Sequence, residues 1–277
     1  MSRKMTRDKL NSNAIITKTH SGCIKMFLIV LPFIIIGSNA MEPFVVGGNR
    51  AAIEYFAHSV FLSIRDYQGS YICGSSILNQ KVLLSAAHCF ETCISPGNIF
   101  AFVGNAHKSR GRKYQVSNFK IHENYDSNEV KNDIGLAILR VSLTLGASAK
   151  RVSIIPHPPA IKLGKVAGWG LIDETGGVRS SWLHSSTQRL WTLNKCREIL
   201  PGIPNGCLCA GDTSEQSYAS EGDSGSALVI NGYIQVGLVS FKRPDTSRGL
   251  VVYTNVSHFY HWIRMNTRNL YCRERFG

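Results

Sequence analysis

The feature that most constrains the fold is a succession of short apolar segments separated by turn residues. The segments are rich in Val, Ile and Leu and are bounded by Gly, Asn, Asp or Pro, a pattern typical of β-strands. They are residues 59–64, 81–84, 99–103, 134–141, 227–230, 234–241 and 250–253. With few helical patterns between them, these segments predict an all-β barrel or sandwich.

Two local signals refine this prediction. Asn231-Gly232 separates two apolar segments, and because both residues tolerate a positive φ, the pair predicts a hairpin with a type I′ turn. Near the C-terminus, Ser257 is a candidate N-cap for an amphipathic helix. The apolar residues spaced for that helix are Phe259, Trp262, Ile263 and Leu270.

The N-terminal region predicts secretion. The apolar run at residues 26–37 is too short to span a membrane and fits the core of a signal peptide. Small residues at Ser38 and Ala40 indicate cleavage after Ala40, so residues 1–40 are the predicted signal peptide, with Met26 as a second candidate start. An uncleaved signal anchor is the alternative, which the length of the run disfavours. We expect an extracellular protein with no stable membrane insertion.

The cysteines indicate disulfides rather than metal. The chain has eight: Cys23, Cys73, Cys89, Cys93, Cys196, Cys207, Cys209 and Cys272. Cleavage after Ala40 would remove one of them and leave an odd number in an oxidising compartment. A zinc site is the competing explanation, yet the Cys207-Leu208-Cys209 spacing is too tight for a usual zinc pair. We therefore expect disulfides, no metal and no other cofactor.

The charge balance says little about partners. The chain carries 31 Lys and Arg against 18 Asp and Glu, a net charge of +13 at pH 7. These basic residues are scattered and no nucleic-acid-binding motif accompanies them, so we expect no nucleic-acid partner. A surface that binds heparin-like polyanions or acidic substrates is the alternative, and salt-dependent retention on a polyanion matrix would support it.

Three polar residues lie in motifs that can carry chemistry. His88 lies beside Cys89, Asp133 precedes an apolar strand, and Ser224 lies in Gly222-Asp223-Ser224-Gly225. Taken singly, each has an ordinary structural explanation such as a turn residue. Together they are what nucleophilic acyl transfer requires, because a serine hydroxyl needs an imidazole to accept its proton and a carboxylate to orient that imidazole.

In this order the motifs resemble the chymotrypsin/trypsin family of secreted serine proteases, from Val45 to about Leu270. Besides the three polar motifs, the matching segments are Val45-Val46-Gly47-Gly48, Gly168-Trp169-Gly170 and Val252-Tyr253-Thr254. The resemblance implies two six-stranded antiparallel β-barrels with the active site between them and a C-terminal helix. It also implies an endopeptidase that acts on proteins or peptides and meets proteinaceous inhibitors, with residues 45–277 as the protease domain.

The resemblance also implies roles for single residues. His88 is the general base and then acid, Asp133 orients it, and Ser224 is the nucleophile. The backbone N–H groups of Gly222 and Ser224 form the oxyanion hole. Asp223 pairs with the α-ammonium that zymogen cleavage frees on Val45, and this pair orders the oxyanion loop.

For the cysteines, the family pattern implies the disulfides Cys73–Cys89 and Cys196–Cys209. Cys93, Cys207 and Cys272 have no counterpart, and any pair among them would leave one thiol over.

The specificity pocket departs from the family pattern. Tyr218 stands six residues before Ser224, where a trypsin carries an acid. Lys242 and Val251 replace the glycines of the pocket walls, and Ser220 replaces a bracing cysteine whose partner is also missing. Ser240-Phe241 resembles the family's Ser-Trp pair that binds the substrate backbone, with Phe in place of Trp.

These departures predict an enzyme without trypsin specificity. With no carboxylate at Tyr218, burying a basic P1 residue (the residue on the amino side of the cut bond) would leave its charge unpaired. We expect small or medium aliphatic P1 residues to be preferred, then aromatic, then basic ones.

The activation site is also unusual. Residues 41–44 are the predicted propeptide, and Val45 follows Phe44 rather than Arg or Lys. Pro43 hinders stepwise trimming by aminopeptidases. We therefore expect a secreted, inactive form that begins at Met41 and that a chymotrypsin-like protease activates.

Two points stay open at this level. A protease homologue that binds a partner without cutting it is the alternative function, favoured by the obstructed pocket and disfavoured by the complete set of His, Asp and Ser. Asn255-Val256-Ser257 is a glycosylation sequon, and its use and its non-use are equally consistent with the sequence.

Overall fold

The computed structural model of the protein describes residues 46–67, 69–211 and 217–276, with side chains described as far as residue 270. The predicted signal peptide with its candidate start at Met26, the propeptide, Val45 and the side chain of Cys272 lie outside the described residues. Within this part of the chain, no helix is long and apolar enough to cross a membrane.

The first half of the described chain forms seven strands and one short helix. The strands are β1 (Asn49–Arg50), β2 (Ser59–Arg65), β3 (Ser70–Ile77), β4 (Val82–Ser85), β5 (Ile99–Val103), β6 (Arg112–Ile121) and β7 (Gly135–Leu139). The helix α1 (His88–Glu91) follows β4. Short 3-10 turns lie at Ile53–Phe56 and Pro96–Asn98.

The second half adds eight strands and two helices. The strands are β8 (Leu163–Gly168), β9 (Leu171–Asp173), β10 (Val178–Arg179), β11 (His184–Trp191), β12 (Cys207–Gly211), β13 (Ala227–Ile230), β14 (Ile234–Arg243) and β15 (Ser247–Asn255). The helices are α2 (Leu193–Ile199) and α3 (Tyr260–Phe276).

The strands close into two antiparallel barrels, which confirms the predicted fold. The first has six strands in the order β2-β3-β4-β7-β6-β5. The second runs β11-β12-β15-β14-β13-β8 and closes because β11 also pairs with β8, while β1 is added at the outer edge of β11. Strands β9 and β10 form a separate two-stranded ribbon.

The continuous apolar runs of β4 and β7 arise because both faces of these strands are buried. Alternate side chains of a strand point to opposite faces. Leu83 and Leu139 point into the core of the first barrel. Leu84 and Leu136 belong to a second cluster with residues of β14 and α3, including Leu238 and Ile263. This shared cluster joins the two barrels and the C-terminal helix.

The predicted hairpin is confirmed, and so is the terminal helix. Asn231 and Gly232 both have positive φ, at 51° and 78°, and Tyr233 N–H donates to Ile230 O at 3.3 Å. Ile263 is fully buried on the inner face of α3.

The prediction that Ser257 caps this helix is wrong. The helix begins at Tyr260, and the Ser257 hydroxyl instead donates to Asn255 Oδ1 at 2.7 Å. Asn255 Oδ1 also accepts from Ser257 N–H at 3.1 Å, so the asparagine organises the turn that precedes the helix. The side chain of the sequon asparagine is thus engaged in a packed turn.

Replacing Gly232 by Ala should destabilise the protein by about 1 kcal/mol. A Cβ at this position meets nothing within 4 Å, so the cost is that of holding an L-residue at positive φ. The matched control is Gly146→Ala, which is equally open but lacks the positive φ and should be neutral or slightly stabilising. Denaturant unfolding checks both, and equal effects at the two sites would contradict the turn assignment.

Candidate active site

Strand register brings His88 and Asp133 together. His88 begins α1 just after β4, and Asp133 lies just before β7. Because Ser85 of β4 pairs with Gly135 of β7, the two residues meet at one end of the first barrel. Asp133 Oδ2 lies 2.9 Å from His88 Nδ1, and Oδ1 accepts the His88 backbone N–H at 2.9 Å.

The second barrel holds the same aspartate. The Ser240 hydroxyl, on β14, donates to Asp133 Oδ2 at 2.5 Å. The Thr254 hydroxyl, on β15, donates to the backbone carbonyl of Asp133 at 2.7 Å. Asp133 is 1% exposed, so both barrels satisfy one buried group.

These contacts shift the pKa of both partners. Burial opposes ionisation of Asp133, but the hydrogen bonds from His88 and Ser240 outweigh it and hold the pKa of the carboxyl below its usual value. For His88, burial acts to lower the pKa, and the hydrogen bond and charge of Asp133 outweigh it, so the His88 pKa is raised. The arrangement favours an imidazolium beside an ionised carboxylate.

Ser224 is held against the first barrel close to His88. Its carbonyl oxygen accepts the Gly74 N–H at 2.7 Å. The same oxygen lies 3.7 Å from the Sγ of Cys89, the residue that follows His88 in the sequence. A Cβ on Gly74 would come within 2.9 Å of the Ser226 Cα, so this close approach requires glycine. The structure thus brings His88, Asp133 and Ser224 to the junction of the barrels.

The backbone around Ser224 also requires glycine. Gly222 has φ +93°, and a Cβ there would lie 2.9 Å from Ile72 Cδ1. Glycine fits this position because it adopts a positive φ without strain and has no Cβ to meet the crowded neighbours.

Asp223 is a buried carboxylate held by backbone amides. It is 1% exposed, and it accepts N–H groups from Ser220 at 2.9 Å and Gly170 at 2.8 Å. A Cβ on Gly168 would approach Asp223 Oδ1 to 2.0 Å, which explains a glycine of the Gly168-Trp169-Gly170 motif. Burial raises the pKa of Asp223 to about 6, against the lowering effect of the two amides.

The described chain begins at Val46, and this residue contacts the segment that precedes Asp223 in the sequence. The carbonyl of Val46 accepts the Tyr218 N–H at 3.0 Å, and Tyr218 lies five residues before Asp223.

A cavity of about 210 Å³ adjoins Ser224. Four residues predicted for the pocket line it, namely Ser240, Phe241, Lys242 and Val251. The other lining residues are Ala219, Ser220, Glu221 and Val239. Tyr218, predicted for the same pocket, is buried, and its hydroxyl donates to Glu174 Oε2 at 3.2 Å.

Glu174 is the residue that sequence reasoning missed. It lies in the turn between β9 and β10, and its Oε1 accepts from the Ser220 hydroxyl and forms an ion pair with Lys242. Glu174 does not itself line the cavity beside Ser224 and meets its wall only through Ser220 and Lys242, so the absence of a carboxylate for a basic P1 residue at Tyr218 stays a prediction. Lys242 is the sequence feature that could have pointed to this acid, because a lysine in a pocket wall implies an acidic partner.

Two disulfides and two free thiols are found among the described cysteines. Cys73 is bonded to Cys89, and Cys196 to Cys209, as the family resemblance implied. Cys93 and Cys207 are buried and form no disulfide.

One group near the site has metal-ligand atom types. The His88 ring and the sulfurs of Cys73 and Cys89 lie within 4.8 Å of one another. Because the two sulfurs are bonded to each other, neither is a thiolate ligand.

Comparison with known proteins defines the family. The family model described as Trypsin matches residues 45–263. Hypodermin-B from Hypoderma lineatum is 33% identical over 232 residues, covering 81% of this chain and 88% of that protein. Trypsin epsilon from Drosophila erecta is 30% identical over 233 residues, covering 82% and 88%. The chain therefore belongs to the trypsin family of serine proteases.

A solved structure supports the fold. The crystal structure of the scabies mite inactivated protease paralogue S-D1 matches with a TM-score of 0.73 and 21% identity, covering 81% of this chain and 97% of that one. At this identity the likeness bears on the fold alone.

The His88 pKa should fall when Asp133 is replaced by Asn. In the wild type the carboxylate raises the pKa above the ordinary value of about 6.5, and without its charge the burial of the ring should bring the pKa below that value. NMR titration of the ring protons checks this. His58, whose pKa burial lowers to about 4, is the internal control. A His88 pKa that Asp133→Asn leaves unchanged would contradict the pairing.

Proposed function

We propose that the protein is a serine endopeptidase in which Ser224 is the nucleophile, His88 the general base and acid, and Asp133 the group that orients His88. The observation that carries the proposal is the pair of hydrogen bonds from His88 to the buried carboxylate of Asp133. Family membership supports the same chemistry.

The proposed reaction begins with neutral His88, and the imidazolium that the site favours forms as the reaction proceeds. With Nδ1–H donated to Asp133, the lone pair lies on Nε2 and can accept the Ser224 proton as the hydroxyl oxygen attacks the peptide carbonyl. Collapse of the tetrahedral intermediate breaks the C–N bond, and His88 returns the proton to the leaving amine. Water then hydrolyses the ester on Ser224 by the same proton transfers.

The oxyanion of this intermediate needs two donors. We assign them to the backbone N–H groups of Gly222 and Ser224, because the positive φ of Gly222 supports an amide turned toward the reacting carbonyl. One such donor contributes about 3 kcal/mol to the transition state.

A non-catalytic binding protein is the second candidate. The Lys242–Glu174 pair at the pocket favours it, because that pair leaves less room for a long P1 side chain. The 210 Å³ cavity beside Ser224 still fits a small or medium side chain, and for this reason we prefer the enzyme.

Ser224→Ala should reduce kcat on a peptide substrate by roughly 10⁶-fold while leaving the thermal unfolding temperature nearly unchanged. Ser109→Ala, at an exposed position before β6, is the control and should keep full activity. An undiminished rate in the Ser224 variant, or loss of wild-type activity through chelators alone, would refute the assignment.

We further propose that the protein is secreted as a zymogen and activated when the Val45 ammonium pairs with Asp223. The buried Asp223 carboxylate supports this: its hydrogen-bond donors among the described residues are backbone amides, and burial raises its pKa although the charges of Lys242 and Arg179 act to lower it, so a cation in direct contact would stabilise its ionised form. The Tyr218 N–H donates to the carbonyl of Val46, so the described chain that begins there contacts the segment that leads to Asp223.

The form that begins at Met41 should be inactive until a chymotrypsin-like protease cuts after Phe44, and trypsin should not activate it there. Loss of one partner of a buried ion pair costs about 3–5 kcal/mol, so Asp223→Asn should stay nearly inactive after the same cut. N-terminal sequencing with a peptidase assay checks both. Full activity with Met41 still attached would show that the oxyanion loop is ordered in another way.

A further inference from the structure

We propose that Glu174 and Lys242 form a charge-cancelling pair that makes the pocket select uncharged P1 side chains, and that either residue alone would recruit P1 residues of the opposite charge. The inference rests on the proposed function. It adds Glu174, which lies outside every motif of the sequence, as a specificity determinant.

The pair is fixed from several sides. Glu174 Oε1 meets both the Lys242 ammonium and the Ser220 hydroxyl, and Oε2 accepts from the Tyr218 hydroxyl at 3.2 Å. The Lys242 Nζ also lies 4.5 Å from the centroid of the Tyr218 ring, in cation–π contact. The two charges therefore have defined positions rather than those of mobile surface groups.

The Lys242 end of the pair lies where a P1 side chain would enter, and Glu174 stands behind it. Lys242 and Ser220 line the same cavity as Ser224, so a residue esterified to Ser224 would extend beside them. The side chains of Lys242 and Glu174 are 17% and 26% exposed, so water screens their charges only in part. Glu221, the acid that lines this cavity, points to solvent at 70% exposure and pairs with Arg179.

Selection follows from what each substrate must displace. A P1 Lys or Arg can reach the Glu174 carboxylate only by removing Lys242, and a P1 Asp or Glu can reach Lys242 only by removing Glu174. In either case one charge of the existing pair loses its partner. An uncharged P1 side chain disturbs neither, so the pair disfavours both charge classes.

A purely structural role is the competing explanation. The Ser220–Glu174 contact ties the wall of the pocket to the β9–β10 turn, in the region where the family's bracing disulfide is missing. A brace of this kind affects stability, and it does not predict a change of P1 charge preference. The two roles therefore differ in a measurable way.

The test compares Lys242→Gln, Glu174→Gln and the double variant after activation, using a peptide library that varies P1. We expect Lys242→Gln to raise kcat/KM for P1 Lys and Arg relative to Leu by at least about tenfold, and Glu174→Gln to do the same for Asp and Glu. The double variant should keep the preference for uncharged residues. Lys195→Gln, which breaks the exposed Lys195–Glu198 pair on α2, is the matched control and should change nothing.

A binding measurement separates this inference from the proposed function. Benzamidine, a small aromatic cation, should bind Lys242→Gln at least about tenfold more tightly than the wild type in calorimetry, whether or not the protein turns over substrate. If Lys242→Gln does not fold, Lys242→Met removes the same charge.

Tighter benzamidine binding without turnover in any form would refute the protease proposal and support the role of the pair. Turnover with unchanged P1 profiles and unchanged benzamidine binding in folded variants would overturn the inference, leaving the pair as a brace.

Discussion

The buried carboxylate of Asp133 is the group on which the rest of the site depends. One barrel supplies two donors from His88, and the other supplies the Ser240 hydroxyl and, to the backbone carbonyl, the Thr254 hydroxyl. An ionised group this deeply buried is costly unless its hydrogen bonds are all in place. The position of one barrel against the other is therefore coupled to the geometry around His88.

Three carboxylates of the candidate site and its pocket wall differ because their surroundings differ. Asp133 has charged and hydroxyl donors, and its pKa is lowered despite burial. Asp223 has only backbone amides in hydrogen-bonding contact among the described residues, and burial raises its pKa to about 6. Glu174 meets a lysine and two hydroxyls, which outweigh its burial and lower its pKa. Orientation, activation and specificity are the roles that we propose for them, and each role matches the local charge balance.

The sequence predicted most of the fold because strand burial leaves a direct trace in it. The run at residues 134–139 is apolar throughout since β7 is covered on both faces, and Asn231-Gly232 is a turn that few other pairs can form. His88 and Asp133 could be proposed from their motifs. Glu174 could not, because a turn acid that reaches a distant lysine is a tertiary contact with no local pattern. The Ser257 cap failed for a related reason: the neighbouring Asn255 competes for the same turn.

The most direct test of the central claim is covalent labelling of the protein that begins at Val45 with a serine-reactive fluorophosphonate, followed by mass spectrometry of its peptides. The account predicts one adduct, on Ser224, and no adduct when His88 is replaced by Ala, because the hydroxyl then has no base. An unlabelled Ser224 in the activated protein, or equal labelling without His88, would contradict it.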